Sequence, residues 1–337
     1  MLPEDIKKKA AYLLPEIHYD RIYGDSERQD LAKLVEVSPT HLTSELVTEN
    51  PALLAGIQII ISGWGCVTFD EEVLKGSPDL EVVLYGAGSI RSAVTDAFWE
   101  RGIRITSGYG VNAIAVAEYT LSQILFCLKH GWRFAQAMKE QLTSPAAWEV
   151  PGAYGSTVGI VSLGMVGRRV AELLRQFDLH VLAYDPYASE SVAAELGVRL
   201  VSLEDLFKES DIVTLHTPNL PETQKLITGE LVRSMKPGST LINTSRGAVI
   251  DEPAMIEVLK DRQDDLFAVL DVTHPEPPVP DSPLYTLNNV VLTPHIAGVM
   301  SGEIHRMGRC MVEELERFLA GKKMKFEITR EMADKLA

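Results

Sequence analysis

Short uniformly apolar runs alternate with helix-period segments along most of the chain. IQIII (57–61), VVLY (82–85) and IRIT (103–106) read as strands buried on both faces, with a helical pattern at 92–101 between the last two. A second series follows: TVGIV (157–161), HVLAY (180–184), DIVTL (211–215), STLIN (239–243), FAVLD (267–271) and NVVLT (289–293). Residues 112–142 predict one long helix before this series, and residues 298–321 predict another after it. Alternation of this kind is the rhythm of parallel sheets with crossover helices, so the fold class is α/β. Because two long helices bracket the second series, the pattern predicts one doubly wound domain inserted into another, with chain crossings near Gly108–Asn112 and Ala297–Ser301.

At 337 residues the chain exceeds a usual single core, which agrees with two domains. Its 47 acidic against 32 basic residues give a net charge of -15. Such a surface repels phosphate backbones and anionic lipid, so small-molecule chemistry is favoured and neither nucleic acid nor membrane is an expected partner. Cys66, Cys127 and Cys310 are widely spaced, odd in number and without metal-type pairing, which fits buried thiols in a reducing cytoplasm; no metal is expected. The first twenty residues hold a basic cluster but no apolar core with a cleavage site, and no stretch approaches the ~20 apolar residues of a spanning helix.

Candidate chemistry begins behind TVGIV, where Ser162-Leu-Gly164-Met-Val-Gly167 runs into the helical RRVAELLRQF. Two glycines of a G-x-G-x-x-G fingerprint are present. Gly164 lets a backbone approach a pyrophosphate, Gly167 lets helix pack on strand, and the Met165 and Val166 amides are the expected donors at the helix start. Ser162 occupies the tight-turn position, which it can adopt only with strain or a modified turn. An ordinary strand-to-helix turn explains the same residues. Asp185 ends the next strand, 23 residues after Ser162, near the ~20 expected of an acidic ribose ligand. Its carboxylate repels a 2'-phosphate, and no Arg or Lys follows until Arg199, so NAD is expected over NADP. A cap on the turn before Pro186 is the alternative role.

Arg246 in INTSRG, Glu276 in HPEPP and His295 in LTPHIAG follow. Taken singly, each has a duller reading: a surface ion pair, a solvated loop charge, a core histidine. Together with VAE (116–118), LHTP (215–218), MKPGSTLINTSRGAVID (235–251), LDV (270–272), PEPP (275–278) and DSPL (281–284), they resemble the D-isomer-specific 2-hydroxyacid dehydrogenases over most of the chain. The resemblance implies a Rossmann NAD-binding domain at 111–298 inserted into a flavodoxin-like substrate domain formed by 1–110 and 299–337, with a cleft that closes on its ligands. It implies a homodimer, which the apolar helix from 112 also favours. It implies that Arg246, Glu276 and His295 form the active site.

The reaction explains those residue types. Reduction of a 2-keto acid builds negative charge on the keto oxygen, so a proton donor must lie within hydrogen-bond reach, and His295 is that donor. Glu276 favours its charged form. Arg246 offers a fork of donors for the substrate carboxylate and keto oxygen. By the same resemblance His216 and Pro218 line the nucleotide pocket, while Thr244, Ser245, Arg246, Asp271 and the segment from His295 to Gly298 face the nicotinamide. His274 and His305 are nearby competitors, and His274 reads as a solvent-exposed loop residue.

On the substrate side, Tyr85-Gly86-Ala87-Gly88 resembles the family's carboxylate-binding loop, a plain strand-end turn being the alternative. By the same resemblance, the neighbourhood of Ser62-Gly63-Trp64-Gly65 carries an Arg in phosphoglycerate-using relatives and an indole here, so an unphosphorylated, bulky or sugar-derived acid is expected to stack on Trp64. Glu276 stands where the formate-oxidising branch has Gln, which argues against formate. No regulatory domain is expected after Ala337. A different class of function, an NAD-sensing binding protein resembling the family's corepressor branch, shares the same three residues and stays open here.

Overall fold

The computed structural model describes residues 7–141 and 150–333. They belong to two compact units, Met1–Asn112 with Val299–Ala337 and Ala113–Gly298. In chain order the strands are β1 (Lys9–Leu13), β2 (Glu36–Val37), β3 (Ile59–Ser62), β4 (Val82–Tyr85), β5 (Arg104–Ser107), β6 (Thr157–Val161), β7 (His180–Tyr184), β8 (Arg199–Leu200), β9 (Ile212–Leu215), β10 (Ser239–Asn243), β11 (Leu266–Leu270), β12 (Val290–Leu292) and β13 (Glu327–Ile328).

The first unit carries a six-stranded sheet in the order β13-β5-β4-β3-β1-β2. It is parallel except at β13, which pairs antiparallel with β5. The 2-1-3-4-5 part of this order is flavodoxin-like and reverses direction between β1 and β3. Strand β1 is absent from the pattern-based expectation, although it is central and all of Ala10–Leu13 is buried. The lysines ahead of it hide a five-residue apolar run. Ile60, Val83 and Ile105 project from neighbouring strands into one core with Leu54, Phe69 and Phe98, each contributing about 1.5–3 kcal/mol through burial.

In the second unit a seven-stranded parallel sheet runs β12-β11-β10-β9-β6-β7-β8, the Rossmann order with one strand added. Separate apolar clusters cover its two faces, one around Val213, Leu241 and Leu270, the other around Ile160, Ile212 and Val269. Helix Met165–Leu174 buries Gly167, Val170, Ala171 and Leu174, the i, i+3, i+4, i+7 stripe of a helix with one core face.

Two helix expectations are corrected. The single helix predicted over 112–142 is two, Tyr109–Cys127 and Gly131–Gln141; Leu142 lies outside the described residues. The break falls at His130, whose φ of 51° leaves the right-handed helix region and whose Nε2 lies 3.0 Å from the Gly238 carbonyl oxygen. The helix expected over 298–321 is the 3-10 turn Ser301–Ile304 followed by His305–Leu319. The expectation about apolar length is also corrected, because Tyr109–Cys127 is long and apolar enough to cross a membrane by length and composition alone. Half of that span is buried, and Ala117, Ile124 and Cys127 pack in the core of the second sheet. A core helix of a globular domain passes the same test of length and composition.

Candidate active site

Arg246, Glu276 and His295 all fall in the second unit. Arg246 follows β10. Its guanidinium donates to the Ser245 carbonyl at 2.7 Å while its own carbonyl accepts from Asn243 Nδ2 at 3.0 Å. Asn243 Oδ1 also receives the Ser245 amide and hydroxyl, so one buried amide side chain sets the whole turn. Next comes Gly247, where an added Cβ would lie 2.0 Å from the Thr273 carbonyl carbon. Only glycine admits the segment after β11, and that segment carries Glu276 back toward Arg246.

His295 Nδ1 lies 2.6 Å from Glu276 Oε1. A carboxylate only accepts, so Nδ1 carries the proton of this bond and Nε2 is the ring nitrogen left for another partner. Both side chains are open to solvent, His295 by 48% and Glu276 by 42%. Burial pushes the Arg246 guanidinium below its ordinary range, while the negative charge of Glu276 pulls it back up. A guanidinium, a carboxylate and an imidazole are thus grouped, with a ring nitrogen accessible.

The strand-to-helix turn after β6 fits a pyrophosphate. Nothing lies within 4 Å of a Cβ added at Gly164, whereas at Gly167 it would lie 2.0 Å from the Ser162 carbonyl oxygen. No side chain caps the helix that begins at Met165, so the amides of its first turn lack a side-chain partner. Ser162 takes the left-handed conformation, φ 76°, at a cost of about 1–2 kcal/mol for a residue with a Cβ. Its amide donates to Tyr184 and its hydroxyl pairs with Thr217 Oγ1 at 2.9 Å. Asp185, at the end of β7, accepts the Leu163 amide on Oδ2 and the Tyr187 and Ala188 amides on Oδ1. The turn-capping role is therefore present, and it also ties the strand end to the glycine turn.

Thr244 is buried and pairs with Thr120 Oγ1 at 3.1 Å. His216 is buried with its Nε2 3.1 Å from Thr214 Oγ1, and its Nδ1 has no hydrogen-bond partner among the described residues. Burial pushes its pKa down to about 3. The folded ring is neutral, whereas the unfolded chain takes up a proton below its ordinary pKa of about 6.5. Stability through this group is thus complete above about pH 6.5 and is lost as pH falls toward about 3, at about 1.4 kcal/mol per pH unit. Going from pH 7 to 5 should cost the wild type about 2 kcal/mol through His216, a component absent from His216→Asn. Denaturant unfolding at both pH values checks this; equal losses in the two proteins would refute it.

Sequence reasoning named Asp271 but missed two residues bound up with it, Thr293 and Tyr119. Asp271, expected to face the nicotinamide, is 1% exposed and spends its carboxylate on Thr293 and the amides of Ile296 and Ala297. Tyr119 reaches Thr293 from the helix Tyr109–Cys127. Thr293 stands two positions before His295 in a motif already singled out, but Tyr119 gave no local signal. His274 is exposed, its amide bonded to Glu252, and His305 belongs to the first unit, near the Asp20 carbonyl.

In the first unit, Trp64 follows β3 and His18 follows β1, their rings 5.6 Å apart at the reversal of strand order, where open α/β sheets place ligands. In the loop after β4, the Ala87 amide is engaged by the Tyr85 carbonyl, while a Cβ added at Gly88 would meet nothing within 4 Å.

A Rossmann sheet with an uncapped glycine turn and an Arg, Glu, His group defines a dinucleotide-dependent α/β protein. The chain belongs to the D-isomer specific 2-hydroxyacid dehydrogenase family, and its residues 121–297 match the model of that family's NAD binding domain. It is 33% identical over 254 residues to the D-3-phosphoglycerate dehydrogenase of Mycobacterium leprae, covering 75% of this chain and 48% of that protein. It is 36% identical over 262 residues to the glyoxylate reductase of Korarchaeum cryptofilum, covering 75% and 77%. Among solved structures, the TT0316 protein of Thermus thermophilus superposes with a TM-score of 0.72 at 30% identity, covering 95% of this chain and all of that one. The chain spans about half the length of the curated phosphoglycerate dehydrogenases it matches.

Proposed function

We propose that the protein is an NAD-dependent D-2-hydroxyacid dehydrogenase that reduces a 2-keto acid reversibly at the Arg246, Glu276 and His295 group. The observation that carries this reading is the 2.6 Å pair between His295 Nδ1 and Glu276 Oε1, beside an Arg whose charge Glu276 feels. NADH, when bound, supplies the hydride. Gly164, Met165, Val166 and Gly167 hold its pyrophosphate, Asp185 its adenosine ribose, and His216 and Pro218 line the pocket. Thr244, Ser245, Arg246 and the segment from His295 to Gly298 serve the nicotinamide side, and Asp271 stands behind that segment with its carboxylate bonded to Thr293, Ile296 and Ala297. Asp185 retains acceptor capacity for a ribose hydroxyl, since two carboxylate oxygens offer about four acceptor sites and three are filled.

Glu276 holds Nδ1, so His295 presents Nε2 to the keto oxygen and gives up that proton as charge develops there. In the oxidative direction the same nitrogen takes the hydroxyl proton. Arg246 binds the substrate carboxylate and keto oxygen through two arms of its fork. Trp64, Ala87 and Gly88 contact the substrate, with the indole favouring an unphosphorylated acid, and the active form is a homodimer.

The test is a panel of 2-keto acids with NADH and NADPH. Turnover of hydroxypyruvate or glyoxylate, faster with NADH, is expected. Much faster turnover of 3-phosphohydroxypyruvate would remove the Trp64 assignment. NADH binding with no turnover of any acid would replace the enzyme by a cofactor-sensing binding protein.

A further inference from the structure

His295 adopts a left-handed backbone, φ 54°, which a residue with a Cβ holds only when its surroundings over-determine it. Those surroundings converge on Asp271. The His295 amide donates to the Asp271 carbonyl at 3.0 Å. Asp271 Oδ1 accepts the Ile296 amide at 2.8 Å and the Thr293 hydroxyl at 2.6 Å, and Oδ2 accepts the Ala297 amide at 2.9 Å. Three successive amides around His295 therefore close on one buried residue at the end of β11.

The polarity of the remaining contact follows from proton counting. Thr293 has a single hydroxyl proton, and a carboxylate can only accept, so that proton points to Asp271. At 3.1 Å from Thr293 Oγ1, the Tyr119 hydroxyl must then be the donor. Burial, which raises the Tyr119 pKa, keeps that proton on the phenol. The chain of hydrogen bonds runs in one direction, from Tyr119 to Thr293 to Asp271.

We propose that Tyr119, Thr293 and Asp271 form a frame of positioning residues that aims the His295 imidazole, with the Thr293 hydroxyl as its link. None of the three needs to touch substrate for this role. The inference rests on His295 being the proton donor. It makes proton delivery depend on a side chain carried by a helix far away in sequence.

The experiment compares Thr293→Val, Thr293→Ser, Tyr119→Phe and the Val/Phe double variant for kcat, KM, NADH affinity and thermal midpoint, with His295→Gln alongside. Thr293→Val keeps volume and removes the hydroxyl; it should lower kcat about 5- to 20-fold while KM and NADH affinity stay within about 2-fold, as loss of an interaction used only in the transition state requires. Thr293→Ser should restore most of the rate. Tyr119→Phe, which removes one oxygen from a half-buried ring, should show the same split at about 2- to 5-fold and remains informative should Thr293→Val fail to fold. Because Tyr119 acts through Thr293, the double variant should be no slower than Thr293→Val.

Unchanged kcat in Thr293→Val and Tyr119→Phe, a serine variant as slow as valine, or multiplying losses in the double variant would each overturn the frame. If His295→Gln keeps its turnover, the assignment of His295 fails and the frame with it. If His295→Gln is inactive while Thr293→Val is fully active, the frame alone fails.

Discussion

Replacing His295 with Gln is expected to lower turnover of the 2-keto acid by roughly 10² to 10⁴ while NADH affinity stays nearly constant. That range corresponds to about 3–5 kcal/mol of lost transition-state stabilisation. Glutamine can still hydrogen-bond, so substrate orientation is largely kept, but it cannot release a proton to a developing alkoxide. Its side chain also cannot reproduce the two-nitrogen arrangement in which Nδ1 is held by Glu276 at 2.6 Å and Nε2 has no hydrogen-bond partner among the described residues. Steady-state rates together with NADH titration by fluorescence check the prediction. Wild-type turnover in the variant would mean that water or another group supplies the proton.

The second large effect is expected from Arg246→Lys. The charge is retained and the fork is lost, so kcat/KM should fall about 10²-fold, within the 1.5–3 kcal/mol of a hydrogen bond to a charged group. Unlike the change at His295, this loss should include a higher KM if Arg246 anchors the substrate carboxylate as proposed, since that contact would precede the transition state. Two structural features make a conservative swap costly here. The guanidinium donates to the Ser245 carbonyl, and it is half-buried, which pushes its pKa down. A lysine would have to desolvate a more compact and more strongly hydrated charge in the same place. If kcat/KM is unchanged across the panel, Arg246 serves only to hold its own turn.

Much of the fold was legible in the chain because parallel strands buried on both faces leave continuous apolar runs. VVLY, TVGIV, HVLAY and STLIN coincide with β4, β6, β7 and β10. Strand β1 was not legible, since its apolar run is only five residues behind a lysine cluster. Nor was the interruption of the helix at His130, which depends on a turn residue with positive φ and on the distant Gly238 carbonyl. At the site, Arg246, Glu276 and His295 could be named from short motifs, and the strained position of Ser162 could be anticipated from the missing glycine. The inward turn of the Asp271 carboxylate could not, because its three donors come from residues 22 to 26 positions later.

By itself the chain indicated which chemistry to expect: a glycine turn before a helix start, an acidic residue after the second Rossmann strand, and an Arg, Glu and His in a recognisable order. These follow from side-chain identity and local backbone preference, which act over a few residues. Tertiary structure decided how that chemistry is aimed. The approach of the Thr273 segment to Gly247, the pairing of His295 with Glu276, and the reach of Tyr119 to Thr293 join residues 19 to 174 positions apart. Contacts over such separations exist only once the chain has folded, and no local propensity encodes them.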